Sequence, residues 1–115
     1  MEKTTTYWES APPKTKNINI EYIQHFDARG MRRVYGRCDQ LGPHHTFNMN
    51  IWLTSSGRLL MRLWSHCQDI DERSFEIKGL DASEITKPIR GSVLEDTWVP
   101  DIVRNTFNKW IDEEF

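Results

Sequence analysis

The residues with the widest chemical range in this chain are two thiols and three imidazoles: Cys38, His44, His45, His66 and Cys67. Two thiolates and two imidazoles complete a tetrahedral zinc set, for which Cys38, His45, His66 and Cys67 are the candidates. Asp39, Asp69, Asp71 and Glu72 are close enough in sequence to orient imidazole ligands from behind. The spacing contains neither a Cys-x-x-Cys nor a His-x-x-x-His pair, so it matches no zinc motif. A buried thiol is also simply a small apolar residue. A Cys–His nucleophilic pair needs an orienting third group and an oxyanion hole, and the sequence marks neither. The acidic run around Asp69, Asp71 and Glu72 lacks the glycine and the twelve-residue spacing of a calcium loop. Nothing resembles a phosphate-binding glycine loop, a Ser-His-Asp order or a paired-carboxylate site. The sequence implies no cofactor, and an enzyme is the lesser expectation.

A second set has different chemistry. Arg33, Tyr35, Arg37, Trp52, Arg58, Arg62 and Trp64 interleave aromatic rings with guanidinium groups. Tryptophan, tyrosine and arginine dominate the energetic centres of protein interfaces, so protein–protein contact or homodimerisation is the leading expectation for them. Single-stranded nucleic acid is the alternative, with bases stacked on the rings and arginines against the phosphates. Arginine laid on tryptophan also covers exposed sheet without any partner.

Charge is unevenly distributed. The net charge is −2, which taken whole argues against a strong nucleic-acid binder. Residues 29–67 carry six arginines and one acid, for +5, while residues 68–115 carry −6 and residues 1–28 the remaining −1. The middle is basic and the last third acidic.

These side chains must be positioned by one small domain. A chain of 115 residues buries roughly two-thirds of its unfolded surface, enough for a core without staples. No apolar run suits a signal peptide or a membrane span, so the expected setting is the cytoplasm, with both cysteines as free thiols. Residues 1–16, with Tyr7, Trp8 and Pro12-Pro13, read as a flexible tail; residues 17–115 read as a single α+β domain.

The period becomes two from Asn17, with Ile18, Ile20, Tyr22 and Phe26 on one face. Asp27-Ala28-Arg29-Gly30 then reads as a hairpin turn into a second strand, Met31–Asp39. That register sets Ile20 opposite Cys38 and Tyr22 opposite Gly36. The clearest hairpin is Thr46–His66. A three-residue loop, Ser55-Ser56-Gly57, pairs Leu53 with Leu59, Ile51 with Met61 and Met49 with Leu63, which makes one face wholly apolar. Keeping the second strand in phase places Arg33 beside Trp52, Tyr35 beside Asn50 and Arg37 beside Asn48, all on the opposite face. Cys38, His45 and Cys67 then point to the apolar side, and the five thiols and imidazoles gather at one sheet edge. A fifth strand runs Ser74–Lys78, Asp81–Glu84 opens one helical turn, and Ile89–Leu94 has no assignable element. Val99, Ile102, Val103, Phe107, Trp110 and Ile111 recur at helical spacing. The expected fold is therefore α+β: an antiparallel β-meander of four to five strands, with a C-terminal amphipathic helix packed on one face. The other face, carrying the Trp/Arg set, is left open.

Overall fold

The structure is a computed structural model that describes residues 17–67, 69–85 and 99–115. The proposed tail and the Ile89–Leu94 segment lie outside the described residues. The elements are β1 (Asn19–Ile23), β2 (Arg32–Gly42), β3 (His45–Leu53), β4 (Leu59–Ser65), β5 (Arg73–Lys78), α1 (Ala82–Ile85) and α2 (Asp101–Glu114). The strands form one antiparallel sheet in the order β1-β5-β4-β3-β2. β2 to β5 are a four-strand meander, and β1 is added at its far edge.

The β3–β4 hairpin sets the frame. Leu53 pairs with Leu59, Ile51 with Met61 and Met49 with Leu63, in the register the apolar face demands. Its loop closes with the Thr54 N–H donating to the Arg58 carbonyl at 2.9 Å, and Gly57 takes a φ of +90° that a side chain would disfavour. Phe47, Met49, Ile51, Met61 and Leu63 are fully buried against Val103, Phe107 and Trp110 of α2. Phe47 meets the Trp110 ring edge-on, 5.3 Å between centroids. β5 follows with Phe75 and Ile77 turned to the same side.

α2 buries Val103, Phe107, Trp110 and Ile111, spaced at three, four and seven residues, as one stripe. Pro100 is its N-cap with extended backbone, and Asp101 places an acid at the positive end. Ile102, grouped with the stripe by spacing, is instead exposed, one residue round the helix from Val103. The acidic C-terminus, unfavourable beside the negative end of the dipole, is held by Arg73 of β5. Its guanidinium pairs with Glu113 at 2.6 Å and Glu114 at 2.7 Å, tying helix to sheet. One turn of helix forms at Ala82–Ile85, where Asp81 accepts from the Ser83 N–H at 3.0 Å. Ile85 is buried in the same core.

β1 corrects the first hairpin. It pairs with β5, Ile20 opposite Ile77 and Tyr22 opposite Phe75, and not with β2 through Cys38 and Gly36. The β5 partner matches apolar with apolar on the helix side, which Cys38 and Gly36 do not. β1 and β2 therefore run the same way at opposite edges, and residues 24–31 must cross a sheet face between them. The turn read at Asp27–Gly30 exists, with the Met31 N–H donating to the Ala28 carbonyl at 3.0 Å, but it lies within this crossing and closes no hairpin.

Candidate partner-binding surface

Which side chains share the face away from α2 is decided by one extra residue. Arg33 pairs with Trp52, but the ladder then shifts: Tyr35 opposes Ile51, Gly36 opposes Asn50, Arg37 opposes Met49 and Cys38 opposes Asn48. The β-bulge at Val34 inverts the parity of the rest of the strand. Tyr35 and Arg37, expected beside Asn50 and Asn48, turn to the helix side. There Tyr35 packs on the core, and the Arg37 guanidinium lies 5.9 Å from the centre of the Phe107 ring. Cys38, expected on the helix side, is exposed on the opposite face.

Of the expected set, Arg33, Trp52, Arg58, Arg62 and Trp64 share that face, with Asn50 opposite Arg62 and Asn48 opposite Trp64 as expected. The face is not bare. Leu60 and Ser74 belong to it, yet they are only 3% and 2% exposed. The crossing segment passes here: Phe26 lies over Arg62, 4.4 Å from guanidinium to ring centre, and its carbonyl accepts from Arg62 Nη2. Phe26, grouped by alternation with Ile20 and Tyr22, therefore sits on the opposite side of the sheet. Glu72 fastens the crossing by pairing with His25 at 2.7 Å and Arg62 at 3.1 Å.

Most cations on or near this face already have acids. Arg58 binds Glu76 through two bonds, 2.9 and 3.1 Å. That contact holds the Glu76 carboxyl below its ordinary range and raises Arg58. Arg37 binds Asp39 through two bonds, 2.9 and 3.1 Å, which raises Arg37. Arg33 is different. It donates to the neutral amide of Asn50 at 3.1 Å, and no acid pairs with it among the described residues. With Gly36, the acid-paired Arg37, Cys38, Asn48, Asn50 and Trp64 it lines a shallow depression of ≈ 300 Å³. A β-carbon on Gly36 would crowd Asn50 Oδ1 at 3.1 Å. Asn48 Nδ2 and Trp52 Nε1 are buried without an acceptor among the described residues.

Cys38 does not join the other thiol and the three imidazoles. His44, His45, His66 and Cys67 line one open concavity near the end of α2, whereas Cys38 lies on the Arg33 side of the sheet. His45 packs edge-on against Phe115 at 4.8 Å, and His66 against Trp64 at 4.8 Å. The Cys67 thiol contacts the His44 carbonyl at 2.7 Å. Among the described residues no group of three or more His, Cys, Asp or Glu side chains could hold a metal ion. The Val34 bulge separates Cys38 from the set.

One feature was invisible to alternation alone: the outer edge of β2. Eleven residues long, β2 has, among the described residues, a strand neighbour only on its β3 side. Hydrogen-bonding direction follows from the hairpin. Thr54 bonds to Arg58, so even-numbered β3 residues bond towards β4 and odd-numbered ones towards β2. Tyr35, Arg37 and Asp39, opposite Ile51, Met49 and Phe47, thus bond inward. The N–H and C=O groups of Gly36, Cys38 and Gln40 point outward. Among the described residues no helix is long and apolar enough to cross a membrane. Comparison with family models, curated proteins and solved structures returns no match.

Proposed function

We propose that the chain is a non-enzymatic binding module that takes a protein partner at the β2 edge and in the adjoining Arg33–Trp64 depression. The observation that carries this reading is the edge itself: a long strand with outward backbone groups at three alternating positions, next to a depression lined by a cation with no acid of its own. An exposed strand edge pairs readily with another chain, and backbone hydrogen bonds supply affinity while flanking side chains supply selectivity. Asn48, Asn50 and Trp64 flank the same depression and give a partner's side chains polar and aromatic surface to meet. Single-stranded nucleic acid is less well served. Phosphate binding needs free cations, and Arg37, Arg58 and Arg62 are each matched by an acid. The setting we propose is the reducing cytoplasm, where the free thiols of Cys38 and Cys67 persist.

Amide exchange read residue by residue, at a dilution where the chain is a monomer, tests the reading. Tyr35, Arg37 and Asp39 should be protected, while Gly36, Cys38 and Gln40 exchange near the free-chain rate. Equal protection of both sets in a monomer would mean that the chain covers its own edge, and the reading would fall.

A further inference from the structure

We infer that the occupant of the β2 edge is a second copy of this chain, joined antiparallel about a two-fold axis at Cys38, so that two five-stranded sheets become one. This deepens the proposed function and rests on it.

The strand selects the register. Bulges at Val34 and between Gln40 and Gly42 bracket its regular part. Inside those limits the outward groups belong to Gly36, Cys38 and Gln40. A two-fold axis through Cys38 sets Gly36 opposite Gln40 of the second copy and Cys38 opposite its own counterpart. Every regular outward group is then used, and neither bulge has to pair.

Charge selects the same register. With the axis at Cys38, Arg37 of each copy faces Asp39 of the other. The Arg37–Asp39 pair already formed within each strand becomes part of a neutral four-charge cluster. Moving the axis one residue, to Arg37 or to Asp39, opposes like charges at the centre. Moving it to Gly36 forces the bulged Val34 to pair with Cys38. A parallel arrangement would bring the two basic starts, Arg32-Arg33, together. On the outer face small or neutral side chains meet, and Arg33 stays clear of its counterpart.

Two measurements test this on the full chain. Light scattering at a few hundred micromolar, in low and high salt, should give twice the 13.7 kDa chain mass in both. A short bismaleimide should then cross-link the Cys67→Ser chain through Cys38 and leave the Cys38→Ser chain uncross-linked. A monomer at that concentration, with the Gly36, Cys38 and Gln40 amides still exchanging freely, overturns the second copy while leaving the edge available to another protein. A dimer in which Cys38 does not cross-link overturns the register and the two-fold axis placed there. If Asp39→Arg remains as dimeric as the parent chain, the charge argument is wrong.

Discussion

Trp110 and Trp64 show how differently one residue type is used within a short chain. Trp110 is 1% exposed and wedged between Phe47 and Phe107, so truncation leaves a cavity that α2 and the sheet cannot both close. Trp110→Ala should cost about 3–5 kcal/mol in urea unfolding. Trp64 is half-buried, resting on His66 at the edge of the depression. Trp64→Ala should cost only about 1 kcal/mol and leave the amide spectrum of α2 unchanged. Similar losses for both would mean that the Trp64 face is a second core. The Arg58–Glu76 pair gives a prediction in pH. Glu76 titrates below its ordinary 4.5 when folded, chiefly through its hydrogen bonds to Arg58. Its contribution is therefore complete above about pH 4.5 and is lost as pH falls through the folded value. Asp27, lowered by Arg29, acts in the same direction. Urea midpoints of the parent chain should fall between pH 5 and pH 3, on the order of that window. Glu76→Gln should flatten part of the fall and leave the midpoint difference smallest at the acid end. A midpoint profile for Glu76→Gln parallel to that of the parent chain would remove Glu76 from the account.

Turns and strands obey local rules until a neighbouring element intrudes, and two glycines separate the cases. Gly57 and Gly79 have φ of +90° and +85°, but a β-carbon at Gly57 would meet nothing, whereas one at Gly79 would run into the Asn17 carbonyl just before β1. Gly57→Ala should cost about 1–2 kcal/mol, the penalty of left-handed backbone. Gly79→Ala should cost about 1–3 kcal/mol more, because β1 must move away from the end of β5. Thermal unfolding of the two variants separates these costs, and equal losses would show that Asn17 yields freely. The same distinction explains what the residues reveal in order. The β3–β4 register is legible because only one loop length makes Met49, Ile51, Leu53, Leu59, Met61 and Leu63 a single face. The α2 stripe is legible for the same reason, apart from Ile102, one position too early. β2 is not legible past Val34. Arg-Arg-Val-Tyr-Gly-Arg-Cys-Asp has no clean alternation, so nothing local marks the bulge that sends Tyr35 and Arg37 one way and Cys38 the other. About half of the expected surface set thereby changes side or is capped by the crossing segment.

At the scale of the whole molecule the question is which pairings are local. Short connections join β2 to β3 and β3 to β4, while β1 reaches its place only after the chain has run through all three and into β5. Adjacent strands usually pair, and that expectation set β1 against β2 when read in order. The side chains favour β5, since Ile20 and Tyr22 find Ile77 and Phe75 on the helix side. Ordering the intervening chain before that contact is rewarded costs closure entropy, so β1 should dock last, after the β3–β4 hairpin has met α2. Stopped-flow folding of two variants tests the order. Met61→Ala, at the fully buried centre of the hairpin, should lower stability by about 2–5 kcal/mol and slow folding. Ile20→Ala, at a half-buried site on β1, should cost roughly 2 kcal/mol, nearly all of it as faster unfolding, with the folding arm of the chevron unmoved. If Ile20→Ala slows folding as much as Met61→Ala, β1 is already paired at the barrier. The closure cost of the intervening chain would then be met before the barrier, and the local β3–β4 hairpin would not be the sole nucleus.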